Sequence, residues 1–173
     1  MSPGFIISAF AVVLIAFANT AARAQDTKEK AASVMEEDGK HFDAEGNPTF
    51  NIENGVVDWY TFSGYRRYHS DCHVCHGPDA LGSSYAPALT ESMKNIDYGT
   101  FLSIVAEGRK STVGGRESIM PAFGDNKNVY CYLDDLYIYL RARAVGAAPR
   151  GRPPKRADKP EAATAYEASC MGG

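Results

Sequence analysis

The ten residues "SDCHVCHGPD" at 70–79 place two thiols and two imidazoles within five positions, at Cys72, His73, Cys75 and His76. Cys-x-x-Cys serves three chemistries. A zinc site needs four ligands, usually completed by a second Cys or His pair. Here only Cys131 and Cys170 remain, and they are not spaced as such a pair. A dithiol redox motif opens a helix in a βαβ pattern, and no such pattern surrounds residues 72–75. The third chemistry is covalent haem attachment by Cys-x-x-Cys-His. Each thiol adds to one haem vinyl group, and a turn of helix carries the second sulfur to the other vinyl. The next residue then lies under the iron, which makes His76 the proximal ligand. His73 sits between the anchors and reads as a bystander, as do His69 and His41.

An iron bound by His alone keeps a position open to gas or peroxide. A Met/His iron is closed and suits electron transfer at a raised potential. Met35, Met93, Met120 and Met171 are available beyond the N-terminal segment. Met120, in "ESIMPAFGDN", is the expected sixth ligand, 44 residues after His76. Pro121 keeps it in extended backbone and prevents a helix there, so its thioether can be held across the haem face. The alternative is a gap-filling core methionine. The preceding "RKSTVGGRES" is polar and glycine-rich and reads as a loop. Met93, in "TESMKNID", reads as core or surface.

The elements that must hold these groups read mainly as helices. Residues 64–70 form a helix running into the motif, with Gly64 and Tyr68 on one face. Residues 87–95 read as a turn followed by a short helix. Over 97–109, Phe101, Ile104 and Val105 follow helical spacing and Gly108 is a stop. Over 128–146, Leu133, Leu136, Tyr137 and Leu140 form a helical stripe. Asn128 is its expected cap. Asp134 and Asp135 early and Arg141 and Arg143 late suit the helix dipole. Gly146 ends it and Pro149 blocks continuation. Residues 43–47 are turn-rich, and 56–62 read as a short strand or cover. Trp59, the only tryptophan, is expected over the core or the haem side. Residues 147–173 read as a Pro-, Arg- and Ala-rich tail of low order.

A length of 173 residues suits one domain plus extensions. Residues 5–18 are an uncharged apolar run of 14, followed by Ala22-Arg23-Ala24. That small-x-small pattern predicts a cleaved export signal over 1–24, although no Lys or Arg precedes the run. A spanning helix needs about 20 apolar residues, so a retained anchor is the lesser alternative. The formal charge of −3 excludes no partner class. Its distribution is uneven, because 141–159 carries seven basic residues against one acid, Asp158. Such a segment either steers an acidic partner or is a solvated tail.

With these residues in place, 62–145 resembles the class I c-type cytochromes. In that family a Gly and an aromatic lie eight and four residues before the first Cys, as Gly64 and Tyr68 do. A Pro whose carbonyl accepts the proximal His N–H follows about a dozen residues on, where Pro87 stands, with Leu89 in the haem-packing place. "LYIYL" supplies Leu136 and Tyr139 for the helix that crosses the Gly-aromatic face. More narrowly, residues 57–159 resemble the four-cysteine, methanol-metabolism-related cytochromes. The stretches that carry this are "DWYTFSGYRRYHSDCHVCHGPDALGSSYAPAL", "IMPAFGDNKNVYCYLDDLYIYLRAR" and "PRGRP".

The resemblance implies an all-α class I cytochrome c fold around one covalently bound haem c. The cytochrome domain would span 62–146, with an irregular N-terminal extension over 25–61 and the tail over 147–173. Cys72 and Cys75 would anchor the haem, His76 and Met120 would ligate iron, and the Pro87 carbonyl would orient His76. Tyr85, Leu89, Phe101, Phe123 and Tyr137 would line the haem or belong to the core. Arg66, Arg67, Lys110 and Arg116 would ring its exposed edge or be ordinary solvated charges. Cys131 and Cys170 would either form a disulfide or remain two separate thiols. The implied function is a monomeric periplasmic carrier, not an enzyme. It would take single electrons from a pyrroloquinoline quinone (PQQ) methanol dehydrogenase, notably the lanthanide-dependent kind, and pass them to a downstream c-type cytochrome or oxidase. A carrier with another donor, and a haem enzyme or gas sensor with a labile sixth ligand, are the alternatives.

Overall fold

The computed structural model describes residues 31–113 and 116–172; the expected export signal lies outside them. Helix α1, Trp59–Arg67, starts where Asp58 accepts hydrogen bonds from the Thr61 N–H (2.8 Å) and Thr61 Oγ1 (2.5 Å). It continues through a π-helical turn, Tyr68–Cys72, into α2, His73–His76, and stops at Gly77 with φ +78°. The helix expected over 64–70 therefore begins earlier, and the strand expected over 56–62 shrinks to β5, Val56–Val57. The Asp58 cap overrides the β-branched and aromatic run around it.

Helix α3 is Leu89–Ser92 and α4 is Tyr98–Glu107, capped by Asp97 on the Thr100 N–H and ended by Gly108 at φ +75°. The segment expected to be a loop is instead an antiparallel hairpin, β6 Arg109–Val113 with β7 Arg116–Met120. The helix expected over 128–146 is two helices, α5 Lys127–Tyr130 and α6 Leu133–Ala144. Its first cap is Asn126, not Asn128. The break falls at Cys131 and Tyr132, both buried, and the Arg67 guanidinium lies 3.5 Å from the Tyr132 ring centre. Tertiary contacts there outweigh the helical stripe.

Helices α1 and α6 pack backbone to backbone at Gly64. A Cβ there would lie 1.8 Å from the Asp135 carbonyl oxygen and 2.8 Å from Tyr139 Cβ. One face of this pair builds the main core, with Tyr68, Ala80, Met93, Phe101, Val105, Leu136, Tyr137 and Tyr139. The other face builds a second cluster with Val57, Trp59, Tyr60, Phe62, Ile138 and Ala163. Trp59 thus belongs to this second cluster.

The all-α expectation needs correction, since among the described residues three small sheets accompany the helices. The extension contributes β1 Met35–Glu37, β2 Lys40–Phe42 and β3 Pro48–Thr49 as one antiparallel sheet. A second joins β4 Ile52–Glu53 and β5 to β8 Lys155–Arg156, with β8 parallel to β5. The tail is ordered as well. It carries α7, Glu161–Met171, which a Cys131–Cys170 disulfide (Cα–Cα 5.9 Å) ties to the end of α5. Arg156 and Lys159 lie over the Trp59 ring, and Arg152 over Phe62. The basic residues that made this segment look solvated are the ones that fasten it to the aromatic cluster. Among the described residues no helix is long and apolar enough to cross a membrane.

Candidate functional site

The disulfide leaves Cys72 and Cys75 as the free thiols, Cys72 half-buried and Cys75 exposed. Burial pushes the Cys72 thiol up to about 12, and the nearby Asp71 and Cys75 add to the shift. A redox-active dithiol needs the opposite shift. No group of three or more His, Cys, Asp or Glu side chains is arranged to hold a metal ion among the described residues.

His76 is buried at the end of α2, and its Nδ1–H donates to the Pro87 carbonyl at 2.9 Å. A carbonyl can only accept, so Nδ1 carries a proton, which leaves Nε2 as the nitrogen that could offer a lone pair. His73 stacks on His69 with ring centres 5.6 Å apart, and His69 Nδ1 is 2.9 Å from the Tyr65 carbonyl oxygen. His41 pairs with Ser33 Oγ at 3.0 Å. None of these three hydrogen-bonds to His76 or stacks on it.

The loop after His76 fixes the distance to Pro87. The Gly82 N–H donates to the His76 carbonyl (2.8 Å), and Ala80 N–H donates to that of Gly77 (3.2 Å). A Cβ on Gly82 would meet Ala88 N at 2.7 Å and Pro87 C at 3.0 Å, so this backbone rests directly on the Pro87–Ala88 peptide. The fully buried Tyr68 donates its hydroxyl to the Gly77 carbonyl from below. Ser83 Oγ donates to the Cys75 carbonyl at 2.5 Å.

Met120 ends β7, opposite Arg109. Its segment is held to the end of α4 by Phe123 N–H to Val105 O and Gly124 N–H to Ala106 O, each 3.0 Å. Ser118 Oγ donates to the Tyr85 carbonyl (3.2 Å), which ties the hairpin to the loop that carries Pro87. Cys72, Leu89, Met120 and Phe123 all pack, partly buried, on the rim of the main core. Phe101 and Tyr137 are inside it, with ring centres 5.3 Å apart. Tyr85 stands apart, 76% exposed. Arg67 is engaged with Tyr132, and Arg66 and Lys110 are exposed. Tyr68 and Asp79, which the sequence reading did not assign to the site, both grip the loop after His76.

A cleft of about 370 Å³ opens elsewhere, between the extension, the start of α6 and α7. Lys40, Tyr60, Asp134, Asp135 and Tyr166 are among its lining residues, and none of 72–76 is.

No family model matches the chain. Cytochrome c-553I of Paracoccus denitrificans is 55% identical over 138 residues, which are 79% of this chain and 61% of that protein. Cytochrome c-555 of Methylococcus capsulatus is 36% identical over 96 residues, or 55% of this chain and 72% of that protein. The crystal structure of the c-type cytochrome XoxG from Methylobacterium extorquens AM1 superposes with a TM-score of 0.79 at 54% identity. That match covers 84% of this chain and 90% of XoxG. The chain belongs to the c-type cytochromes. Its relatives are electron-transfer proteins rather than enzymes, and covalently attached haem c is the cofactor of the family. The match to XoxG supports a class I c-type cytochrome fold, here elaborated by the three small sheets.

Proposed function

We propose that this c-type cytochrome is a periplasmic monohaem carrier. It takes single electrons from a PQQ-dependent methanol or other alcohol dehydrogenase and passes them to a downstream c-type cytochrome or oxidase. The observation that carries the site is the His76 imidazole, pinned through Nδ1 to Pro87 at 2.9 Å, one residue after a Cys-x-x-Cys whose thiols are both free. These residues fit a covalently attached haem: Cys72 and Cys75 as its thioether anchors, and His76 Nε2 and Met120 sulfur as its iron ligands. Bound haem supplies one-electron redox chemistry. The protein's own part is to position and to exclude water. The Pro87 carbonyl fixes the imidazole tautomer and raises its basicity. The hairpin and the Phe123 segment hold Met120 in extended backbone on the core rim. Leu89 and Phe123 supply apolar wall on the same rim.

The donor assignment is supported by the resemblance of residues 57–159 to methanol-metabolism-related cytochromes, and the localisation by the export pattern of 1–24. A two-electron quinone donor must meet a one-electron carrier twice per turnover, which calls for brief, charge-guided contacts. The test is reduction of the purified haem-loaded protein by a PQQ methanol dehydrogenase with methanol present. Reduction at micromolar carrier, slowed by added salt, is expected. Failure there, alongside rapid reduction by a different respiratory donor, would overturn the donor assignment.

A further inference from the structure

The loop that joins His76 to Pro87 is gripped from outside by the tail, and Asp79 is the point of attachment. Its carboxylate accepts from Arg150 Nε (2.7 Å) through one oxygen and from the Gly151 N–H (2.8 Å) through the other. Its backbone carbonyl accepts from Arg143 on α6 (3.1 Å), and the same guanidinium donates to the Ala148 carbonyl (2.7 Å). One aspartate therefore unites the loop, the end of the core helix and residues 148–151. The Gly151 N–H and Arg150 hold its carboxyl below the usual carboxylate range, so the clamp is charged at neutral pH.

The gripped loop is strained. Ala80, the next residue, is fully buried and has φ +62°, a conformation costly for a residue with a Cβ. Such a turn persists only where its surroundings over-determine it. The Gly82 N–H donates to the His76 carbonyl, and the Gly82 backbone presses on the Pro87–Ala88 peptide. Displacement of the loop must therefore move the His76 carbonyl, the Pro87 carbonyl, or both.

We infer that the clamp of Asp79 on Arg150 and Gly151 is a positioning device that sets the His76–Pro87 hydrogen bond, and through it the reduction potential of the haem. The inference rests on His76 as an iron ligand. A well-made Nδ1–H to carbonyl bond makes the imidazole a stronger donor and favours the ferric state. Loosening the clamp weakens that bond and raises the potential.

The test compares Asp79→Asn, Arg150→Gln and Arg152→Gln in the haem-loaded protein. Arg152 belongs to the same tail but lies over Phe62 rather than on Asp79. Midpoint potential and hydrogen exchange of the Gly82 amide are read together. Positioning predicts that Asp79→Asn and Arg150→Gln both shift the potential upward and speed Gly82 exchange, while Arg152→Gln does neither. Charge acting through space predicts opposite signs, with loss of the anion raising the potential and loss of the cation lowering it. A downward shift or no shift in Arg150→Gln overturns the inference. The Arg150 side chain is 71% exposed, so this variant folds even if Asp79→Asn does not. Unchanged Gly82 exchange overturns the clamp and leaves the ligand assignment standing. An intact iron spectrum in His76→Ala overturns the ligand assignment and, with it, the link to potential.

Discussion

Tyr68 has no exposed surface, and its hydroxyl is spent on the Gly77 carbonyl next to His76. Tyr68→Phe removes the shorter of the two bonds to that carbonyl and leaves it only the Ala80 N–H at 3.2 Å. It is expected to lower stability by about 1–2 kcal/mol in urea unfolding; an unchanged midpoint would show that the bond contributes nothing. Asp135 is the other residue whose burial has a measurable consequence. Burial raises its carboxyl to about 7, against the smaller opposing effects of the Ser63 hydrogen bond and Lys40. Unfolded, it titrates at about 4. Between the two values the folded chain holds a proton that the unfolded chain has released, so its contribution to stability falls as pH rises through that window. Asp135→Asn should remove this slope and gain most over wild type above pH ~7; an equal gain at low and neutral pH would contradict it. Asp43 and Asp79, whose carboxyls are held low, act in the opposite sense at lower pH. The hydrogen bond between His76 and Pro87 was expected from the family resemblance, and both residues lie within 16 positions of the chain that start at Cys72. The bonds of Asp79 were not expected, because its partners lie 64, 71 and 72 residues away and only the fold brings them together.

The α1–α6 crossing depends on one missing Cβ. Gly64→Ala would place a methyl 1.8 Å from a backbone oxygen that no rotamer can move. A loss of about 3 kcal/mol or more is expected in denaturant unfolding, with the helices forced apart at the site that supports Tyr68. A near-neutral substitution would mean that the helices slide freely. Helix α4 and the core of α6 were readable from periodicity and stop signals. The start of α1 is hidden in the sequence because Val56 to Phe62 is rich in β-branched and aromatic residues, while a single side chain, the Asp58 cap, decides for helix. Residues 109–118 read as a loop because their side chains are mostly polar, although a Gly-Gly pair between short runs is also a hairpin signal. Asp134 and Arg141 suit the α6 dipole, yet each also makes a tertiary ion pair, with Lys40 and Asp43, at 2.7 Å. Charge patterning along one helix carries no information about such partners.

At the scale of the whole molecule, the extension and the tail complete the second cluster rather than trailing from the core. Helix α7 has 11 residues and would be marginal alone. It is held by the disulfide, by Ala163 in the cluster and by the Lys159–Glu167 pair at 2.5 Å. The bridge spans 39 residues, and in the chain-entropy description its loss costs up to about 4 kcal/mol. The Cys131→Ser, Cys170→Ser double variant should show that loss, with amide protection in α7 lost first and the haem spectrum unchanged. Equal stability of the two proteins would contradict this. The tail looked disordered because its prolines and arginines are typical of linkers, and the aromatic surface they cover lies about a hundred residues earlier in the chain. The most direct measurement of all is the absorption spectrum of the mature, haem-loaded protein beside its Met120→Leu variant, each before and after carbon monoxide. An iron closed by His76 and Met120 predicts covalent haem in both, a sulfur-to-iron charge-transfer band and no carbon monoxide binding in the first, and loss of the band with rapid binding in the second. Identical spectra in the two proteins, or a colourless product, would contradict it.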